Sequence, residues 1–91
     1  MEFEWDANKN RANLAKHGLA FEYVVEVFDD PHELTERSRF EGELRYQTIG
    51  RVRGTVLFVA YTIRSGNLDK TSVRIISARV ASREERARYG R

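Results

Sequence analysis

The most regular hydrophobic pattern lies in the first third of the chain. Phe21, Val24, Val25 and Phe28 are spaced at i, i+3, i+4 and i+7, a spacing that predicts a helix with one apolar side. The segment Asp29-Asp30-Pro31 follows directly. We expect it to end this helix, because the residue before a proline avoids helical backbone angles.

A shorter strand and helix are predicted before this segment. Phe3–Trp5 is typical of a short strand, and Asp6 suits the N-cap of a first helix that runs to about Lys16. His17-Gly18 is expected to end that helix, because glycine readily adopts the left-handed conformation of a C-terminal cap. Lys16 and His17 would then lie at the negative end of the helix dipole.

After residue 33 the pattern changes to alternating and β-branched residues, which predict strands. Four are expected: Leu34–Phe40, weak and at an edge, then Arg45–Arg51, Thr55–Ile63 and Ser72–Arg79. Gly54 favours a hairpin between the second and third of these strands. Ser65-Gly66-Asn67 indicates a loop before the last one.

A capping box marks a final helix. In Ser82-Arg83-Glu84-Glu85, the Ser82 hydroxyl and the Glu85 carboxylate can each satisfy a free backbone amide. The predicted order is β-α-α-β-β-β-β-α in a single domain, residues 1–91, of the α+β class. We expect a mainly antiparallel sheet packed by the two N-terminal helices, with a C-terminal helix and all helices on one face.

Composition excludes several classes of site. The chain has no cysteine, which excludes disulfides, thiolate zinc sites and a cysteine nucleophile. Its first residues do not resemble a signal peptide, and its apolar runs are too short to span a bilayer. We therefore expect the cytoplasm as its location and no contact with a membrane.

Charge is distributed unevenly along the chain. Residues 1–43 carry five Lys and Arg against eleven Asp and Glu, whereas residues 44–91 carry eleven Lys and Arg against three Asp and Glu. Two interpretations stay open at this point. The basic half can face a polyanion, or the two halves can neutralise each other within one fold.

Arginines cluster around the predicted junction of the last strand and the last helix. They are Arg74, Arg79, Arg83 and Arg86, with Arg64 at the end of the preceding strand. In a regular strand, Arg74 and Arg79 would point to opposite faces, but a bulge, or the end of the strand before Val80, would bring Arg79 round towards the helix. Several guanidinium groups there, beside the first turn of a helix, would bind a phosphate.

Other candidate residues have simpler structural explanations as well. Lys16 and His17 can bind a ligand or transfer protons, or can merely stabilise a helix C-terminus. Glu85 and Tyr89, at i and i+4, can act as base and acid, or as a cap and a packing residue. The sequence has no metal-ligand spacing and no nucleotide-cofactor motif, so we expect no metal and no cofactor.

The chain resembles the BrnT family of type II toxin–antitoxin ribonuclease toxins nearly from end to end. The matching segments of the first half are Phe3-Glu4-Trp5-Asp6, Lys9, Asn13-Leu14, Lys16-His17-Gly18, Phe21 and Phe28-Asp29-Asp30-Pro31. Those of the second half are Arg45, Ile49-Gly50, Val59-Ala60-Tyr61-Thr62, Arg74-Ile75-Ile76-Ser77-Ala78-Arg79, Ala81, Glu85-Arg86 and Tyr89.

This resemblance implies a fold similar to the RelE toxins and a ribonuclease that inhibits translation and growth. It also implies a small ribbon-helix-helix antitoxin, similar to BrnA, which blocks the toxin in a hetero-oligomer and alone contacts operator DNA. A non-catalytic module that binds RNA or protein is the alternative.

The chemistry of RNA cleavage gives the candidate residues roles. Because arginine stays protonated, Arg64, Arg74 and Arg79 are expected to bind the phosphate and its transition state. Proton transfer is expected from Glu85, His17 or Tyr89. The further candidates for substrate contact are Lys16, Arg83, Arg86 and Tyr89.

Overall fold

The computed structural model describes residues 1–65 and 70–90. The elements in chain order are β1 (Glu2–Glu4), α1 (Ala7–His17), α2 (Phe21–Val24) continued by a 3-10 helix (Val25–Asp29), β2 (Leu34–Phe40), β3 (Glu43–Val52), β4 (Thr55–Ser65), β5 (Thr71–Val80) and α3 (Arg83–Tyr89). The predicted order and the α+β class are confirmed. The likeness to RelE toxins stays a prediction.

Among the described helices, none has the length and apolar character needed to cross a membrane.

The strands form one sheet in the order β1-β5-β4-β3-β2. β2 to β5 make an antiparallel meander, and β1 adds to β5 in the parallel direction. β2 lies at an edge, as predicted. The predicted turn between β3 and β4 is confirmed, since Arg53 and Gly54 both have positive φ angles, +48° and +90°. Of the predicted loop at Ser65-Gly66-Asn67, Ser65 ends β4 and the other two residues lie outside the described residues.

The predicted limits of α1 are confirmed by its caps. An Asp6 carboxylate oxygen accepts hydrogen bonds from the backbone amides of Asn8 (2.8 Å) and Lys9 (3.1 Å). At the other end, Gly18 takes the left-handed conformation with φ at +72°. α1 therefore begins and ends where its local sequence signals place it.

The second helix is only one α-helical turn and then tightens into the 3-10 helix. This differs from the predicted α-helix over the whole apolar segment. A 3-10 helix has three residues per turn, so residues at i, i+3 and i+6 lie in line. Phe21, Val24 and Val27 fit that spacing, and each is fully buried. Val27 was not among the predicted core-facing residues. Val25 and Phe28, which were predicted, are partly buried and pack against the same core.

The main core lies between the N-terminal helices and one face of the sheet. Its buried members include Phe21, Val24, Val27, Val52, Leu57, Val59, Tyr61, Val73, Ile75 and Ala78. α3 packs elsewhere: Tyr89 contacts a second cluster around Ile49, Val56 and Ala81. Strand register places Ile49 in line with Phe58 and Arg79, on the opposite face from the main core. The expectation that all helices share one face is therefore wrong for α3.

Candidate functional site

A β-bulge in β5 sets the direction of the two central arginines. The register between β4 and β5 shifts between Ala60 and Tyr61, so that Ile76 is an extra residue in β5. One extra residue reverses the alternation of side chains beyond it. Arg74 and Arg79 therefore emerge on the same face of the sheet, and of the two ways considered for turning Arg79 towards the helix, the structure has the bulge.

β4 carries a third arginine on this face. Phe58, Thr62 and Arg64 have the same parity along β4, and Arg79 and Arg74 pair with Phe58 and Thr62. We call this side of the sheet, opposite α1 and α2, the arginine face. Phe58 and Thr62 are four residues apart, a separation of about 13 Å along a strand. Arg79 therefore lies near α3, whereas Arg74 and Arg64 lie progressively farther from it.

Arg79 is held in place from two sides. Its Nη1 and Nη2 atoms donate to the two carboxylate oxygens of Glu85, at 2.7 and 2.9 Å. The guanidinium carbon lies 4.3 Å from the centroid of the Phe58 ring. Bidentate pairing and aromatic stacking both fix the plane of the guanidinium group. Its side chain is still 40% exposed, so a ligand can reach it from solvent.

Glu85 links this ion pair to the start of α3. One of its oxygens accepts the Ser82 backbone amide at 2.8 Å, and its own amide donates to the Ser82 hydroxyl at 3.2 Å. The predicted capping box is confirmed. The hydrogen bonds from Arg79, together with those of the cap, lower the pKa of Glu85 to about 2 although burial opposes the shift. Glu85 is therefore an anion near neutral pH and a very weak base.

Arg74 has its own carboxylate partner. Its Nη1 atom lies 3.3 Å from a Glu4 oxygen, and the other Glu4 oxygen accepts the Ser72 hydroxyl at 2.9 Å. This contact depends on the parallel pairing of β1 with β5, which sets Glu4 beside Arg74. Arg64 is exposed near the end of β4. The structure thus places Arg64 and Arg74 on one face with Arg79 but away from the strand-to-helix junction.

Lys16 and His17 lie at the exposed edge of β5. They line a shallow depression of about 290 Å³ together with Lys9, Ala12, Asn13, Ile76 and Ser77. Asn13 fixes α1 against the strand, because its side-chain oxygen accepts the Ala78 amide at 3.1 Å. Ile76 and Ser77 lie between Arg74 and Arg79 along β5, but no arginine of the described residues lines this depression. The structure therefore does not bring Lys16 and His17 into contact with the arginines.

The remaining candidates on α3 point in different directions. Arg83 is exposed, and Arg86 donates to the Ala81 carbonyl at 2.9 Å. The Tyr89 hydroxyl donates to Asp30 at 2.5 Å, which raises the pKa of Tyr89. The i, i+4 pair of Glu85 and Tyr89 therefore binds two separate partners.

Comparison with protein families decides the classification of the chain. A family model described as "Ribonuclease toxin, BrnT, of type II toxin-antitoxin system" matches residues 5–85. The chain belongs to the BrnT family. A comparison with curated proteins finds no match.

Membership in the BrnT family implies an RNA target and an antitoxin partner. The matched range includes Arg64, Arg74, Arg79 and Glu85. Among residues 1–65 and 70–90, no three His, Asp or Glu side chains are grouped in a way that could hold a metal ion.

Several partners of the candidate residues were not identified from the sequence. Phe58 follows from the hairpin register, since it faces Arg79 across β4 and β5. No sequence pattern indicated Glu4 or Asp30 as partners. Glu4 contacts Arg74, 70 positions away, and Asp30 contacts Tyr89, 59 positions away. Contacts of that range depend on the tertiary fold alone.

Proposed function

We propose that this BrnT-family chain is an endoribonuclease that cleaves RNA without a metal ion. The observation that carries the proposal is the arrangement of Arg79, whose guanidinium is fixed by Glu85 and Phe58 while its side chain stays 40% exposed. Arg74 and Arg64 lie along the same face and extend its positive charge.

The reaction needs no nucleophile from the protein. The 2′-hydroxyl of RNA attacks the neighbouring phosphorus atom, an O–P bond forms to it, and the bond from phosphorus to the 5′-oxygen breaks. A base takes the proton of the 2′-hydroxyl, and an acid gives a proton to the leaving 5′-oxygen. The products are a 2′,3′-cyclic phosphate and a free 5′-hydroxyl. The protein aligns the strand and stabilises the charge that develops on the phosphate.

Arg79 is proposed to bind the scissile phosphate. A fixed guanidinium suits the transition state, because little reorganisation is needed when negative charge develops on the phosphate oxygens. Arg74 and Arg64 would hold phosphates farther along the strand. Glu85 is proposed to position Arg79, since its pKa of about 2 leaves it a weak base.

His17 is the group that we propose for proton transfer. It lies beside Lys16 in the depression lined by Ser77 of β5, and histidine is the side chain that most often transfers protons in enzymes. Tyr89 is less suited to this task, because its hydroxyl is already bound to Asp30. Lys16, Arg83 and Arg86 are proposed to contact phosphates outside the reacting one.

Cleavage of an end-labelled RNA by the purified protein, with excess EDTA, tests the activity. We expect fragments with 2′,3′-cyclic phosphate ends, and loss of cleavage in an Arg74→Ala/Arg79→Ala double variant. An Arg37→Ala/Arg39→Ala variant is the matched control, because it removes the same charge from the other face of the sheet. Activity that disappears with EDTA would contradict the metal-free mechanism. Intact RNA in a gel shift would instead support a non-catalytic binding module.

In the cell, the proposed activity would inhibit translation and growth in the cytoplasm. The proposed partner is a ribbon-helix-helix antitoxin that covers the arginine face and alone contacts operator DNA. Expression of the chain with and without its operon neighbour tests this proposal. We expect growth arrest that the neighbour relieves; arrest that persists in the Arg74→Ala/Arg79→Ala variant would contradict it.

A further inference from the structure

The arginine face continues beyond the three arginines considered so far. Arg45 on β3 is next to Tyr46, which pairs with Tyr61 of β4, so Arg45 lies beside Thr62. Arg74 lies on the other side of Thr62, on β5. Neighbouring strands are about 4.8 Å apart, which places the backbones of Arg45 and Arg74 about 10 Å apart. Thr62 is only 6% exposed between them.

Arg45 is paired with an aromatic ring instead of a close carboxylate. Its guanidinium carbon lies 4.6 Å from the centroid of the Phe40 ring, and its contact with Glu43 is long, at 4.0 Å. Its Nε atom is buried and has no hydrogen-bond partner among the described residues. By contrast, Arg79 is bound to a carboxylate at 2.7 Å. The buried Nε cannot reach a ligand, but the Arg45 side chain is 27% exposed and its long contact with Glu43 leaves the Nη atoms able to donate to one.

Phe40 is a large aromatic residue exposed at the end of the edge strand. It is 52% exposed, and it lies on the arginine face because Ser38, two residues earlier, pairs with Arg45. Gln47 donates to the Ser38 hydroxyl at 2.8 Å, which adds polar groups beside the ring. An accessible ring next to a cation is the arrangement that binds an unpaired base together with its phosphate.

We infer that Phe40 and Arg45 form a second nucleotide-binding subsite of the arginine face, where one base of a single-stranded RNA stacks on Phe40 and Arg45 binds the adjoining phosphate. The inference rests on the proposed ribonuclease function. It makes the substrate single-stranded, because a base within a duplex cannot stack on a protein ring.

The subsite lies well away from the reacting phosphate. Leu34 is in line with Arg79 through the register of the four strands, and Phe40 is six residues farther along β2. Strand spacing and rise place Phe40 about 25 Å from Arg79. A dinucleotide bound at Arg79 is therefore too short to reach Phe40, whereas a dodecanucleotide spans both.

Cleavage of a dinucleotide and a dodecanucleotide RNA by the wild-type protein and its variants tests this subsite. Phe40→Leu is expected to raise KM for the dodecanucleotide about 5- to 140-fold, the range for loss of one base–aromatic stack. Its kcat, and all constants for the dinucleotide, should stay unchanged. Phe40→Trp should preserve KM, since it keeps a stacking ring. Arg45→Gln should raise KM for the dodecanucleotide, whereas Arg39→Gln, on the same hairpin but the opposite face, should not.

The outcomes separate the subsite from the activity on which it rests. If the wild-type protein cleaves the dodecanucleotide and the Phe40→Leu and Arg45→Gln variants match it, the subsite is overturned and the ribonuclease function stands. If the wild-type protein neither binds nor cleaves either RNA, the proposed function fails. If the variants bind RNA normally but lose affinity for the antitoxin, the patch is a protein interface and the inference is overturned.

Discussion

Arg79 and Glu85 form a bidentate ion pair that joins the end of β5 to the first turn of α3, with N–O distances of 2.7 and 2.9 Å. The same carboxylate accepts the Ser82 amide. A single side chain thus caps a helix and orients the arginine that we propose to bind the scissile phosphate. Loss of either partner is expected to affect both stability and activity, to different extents.

The first prediction concerns Arg79. Arg79→Ala should lower kcat for RNA cleavage about 10²- to 10³-fold, the usual effect of removing one preorganised donor. Arg79→Lys should restore only part of that loss, because an ammonium group cannot pair in bidentate fashion or stack on Phe58 in the same way. Single-turnover cleavage of a labelled RNA measures both effects.

Arg53 provides the matched control for this series. It makes a bidentate pair with Glu26 and lies 5.3 Å from the centroid of the Tyr23 ring, in the β3–β4 turn. Arg53→Ala and Arg53→Lys should leave the cleavage rate unchanged. Equal losses at Arg53 and Arg79 would mean that general charge, and not the site, governs the rate.

The second prediction concerns acid stability. The pKa of Glu85 is lowered from 4.5 to about 2, so its ionised form favours the folded state. This contribution is complete above pH 4.5 and disappears as pH falls from 4.5 towards 2. Because solvent reaches Arg79, which is 40% exposed, we expect about 1–2 kcal/mol of unfolding free energy.

Urea unfolding followed by the fluorescence of Trp5, the single tryptophan, measures this contribution at several pH values. The difference between the wild-type protein and Glu85→Gln should be constant above pH 5 and should shrink below pH 4.5. Glu84→Gln, an exposed neighbour on the same helix, should show no such pH dependence. A difference that grows on acidification would contradict the assignment.

Local sequence signals predicted the parts of the fold that depend on neighbouring residues. Asp6 and Ser82 have the side chains that cap helices, and Gly18 supplies a left-handed C-cap, so the limits of α1 and the start of α3 could be inferred. The edge position of β2 was likewise indicated by its weak apolar pattern. The helix caps are decided within a few residues of chain.

Features that depend on tertiary contacts could not be predicted in the same way. The bulge at Ile76 is a property of the register between β4 and β5. The sequence alone therefore did not predict which face of the sheet Arg79 points to. The position of α3 depends on which face of the sheet its apolar residues pack against. The change from an α-helix to a 3-10 helix after Val24 was not predicted, because the apolar residues of this segment also fit the spacing of an α-helix.

The third prediction separates the two roles considered for Tyr89. Its hydroxyl donates to Asp30 at 2.5 Å. Burial alone would raise the pKa of Asp30, but hydrogen bonds from Tyr89 and from the amides of Arg51 and His32 lower it overall. Tyr89→Phe should therefore reduce the free energy of unfolding by about 1–2 kcal/mol, and it should change kcat less than twofold. If Tyr89 were the acid, kcat would fall about 10²-fold or more.

A double-mutant cycle with Asp30→Ala checks the origin of the stability change. The losses of unfolding free energy in the two single variants should add up to more than the loss in the double variant, because both substitutions remove the same hydrogen bond. Strict additivity would show that the contact contributes nothing in solution.

The last prediction concerns Asn13, which joins α1 to β5. Its side chain is 7% exposed, accepts the Ala78 amide at 3.1 Å and donates to the Leu19 carbonyl at 2.9 Å. Asn13→Ala leaves both backbone groups without that partner, so we expect a loss of about 2–3 kcal/mol in the free energy of unfolding. Asn8→Ala, an exposed position on the same helix, should change it by no more than about 0.5 kcal/mol.

The same substitution also tests how α1 contributes to the site. Lys16 and His17 lie on the last turn of α1, and the contact of Asn13 with β5 sets the distance of that turn from Ser77. At a temperature where Asn13→Ala remains folded, cleavage should therefore still be slower than in the wild-type protein. The rate of a His17→Ala/Asn13→Ala double variant should equal that of His17→Ala alone, because both act through one group. Independent, multiplicative losses would instead show that Asn13 supports the fold without positioning His17.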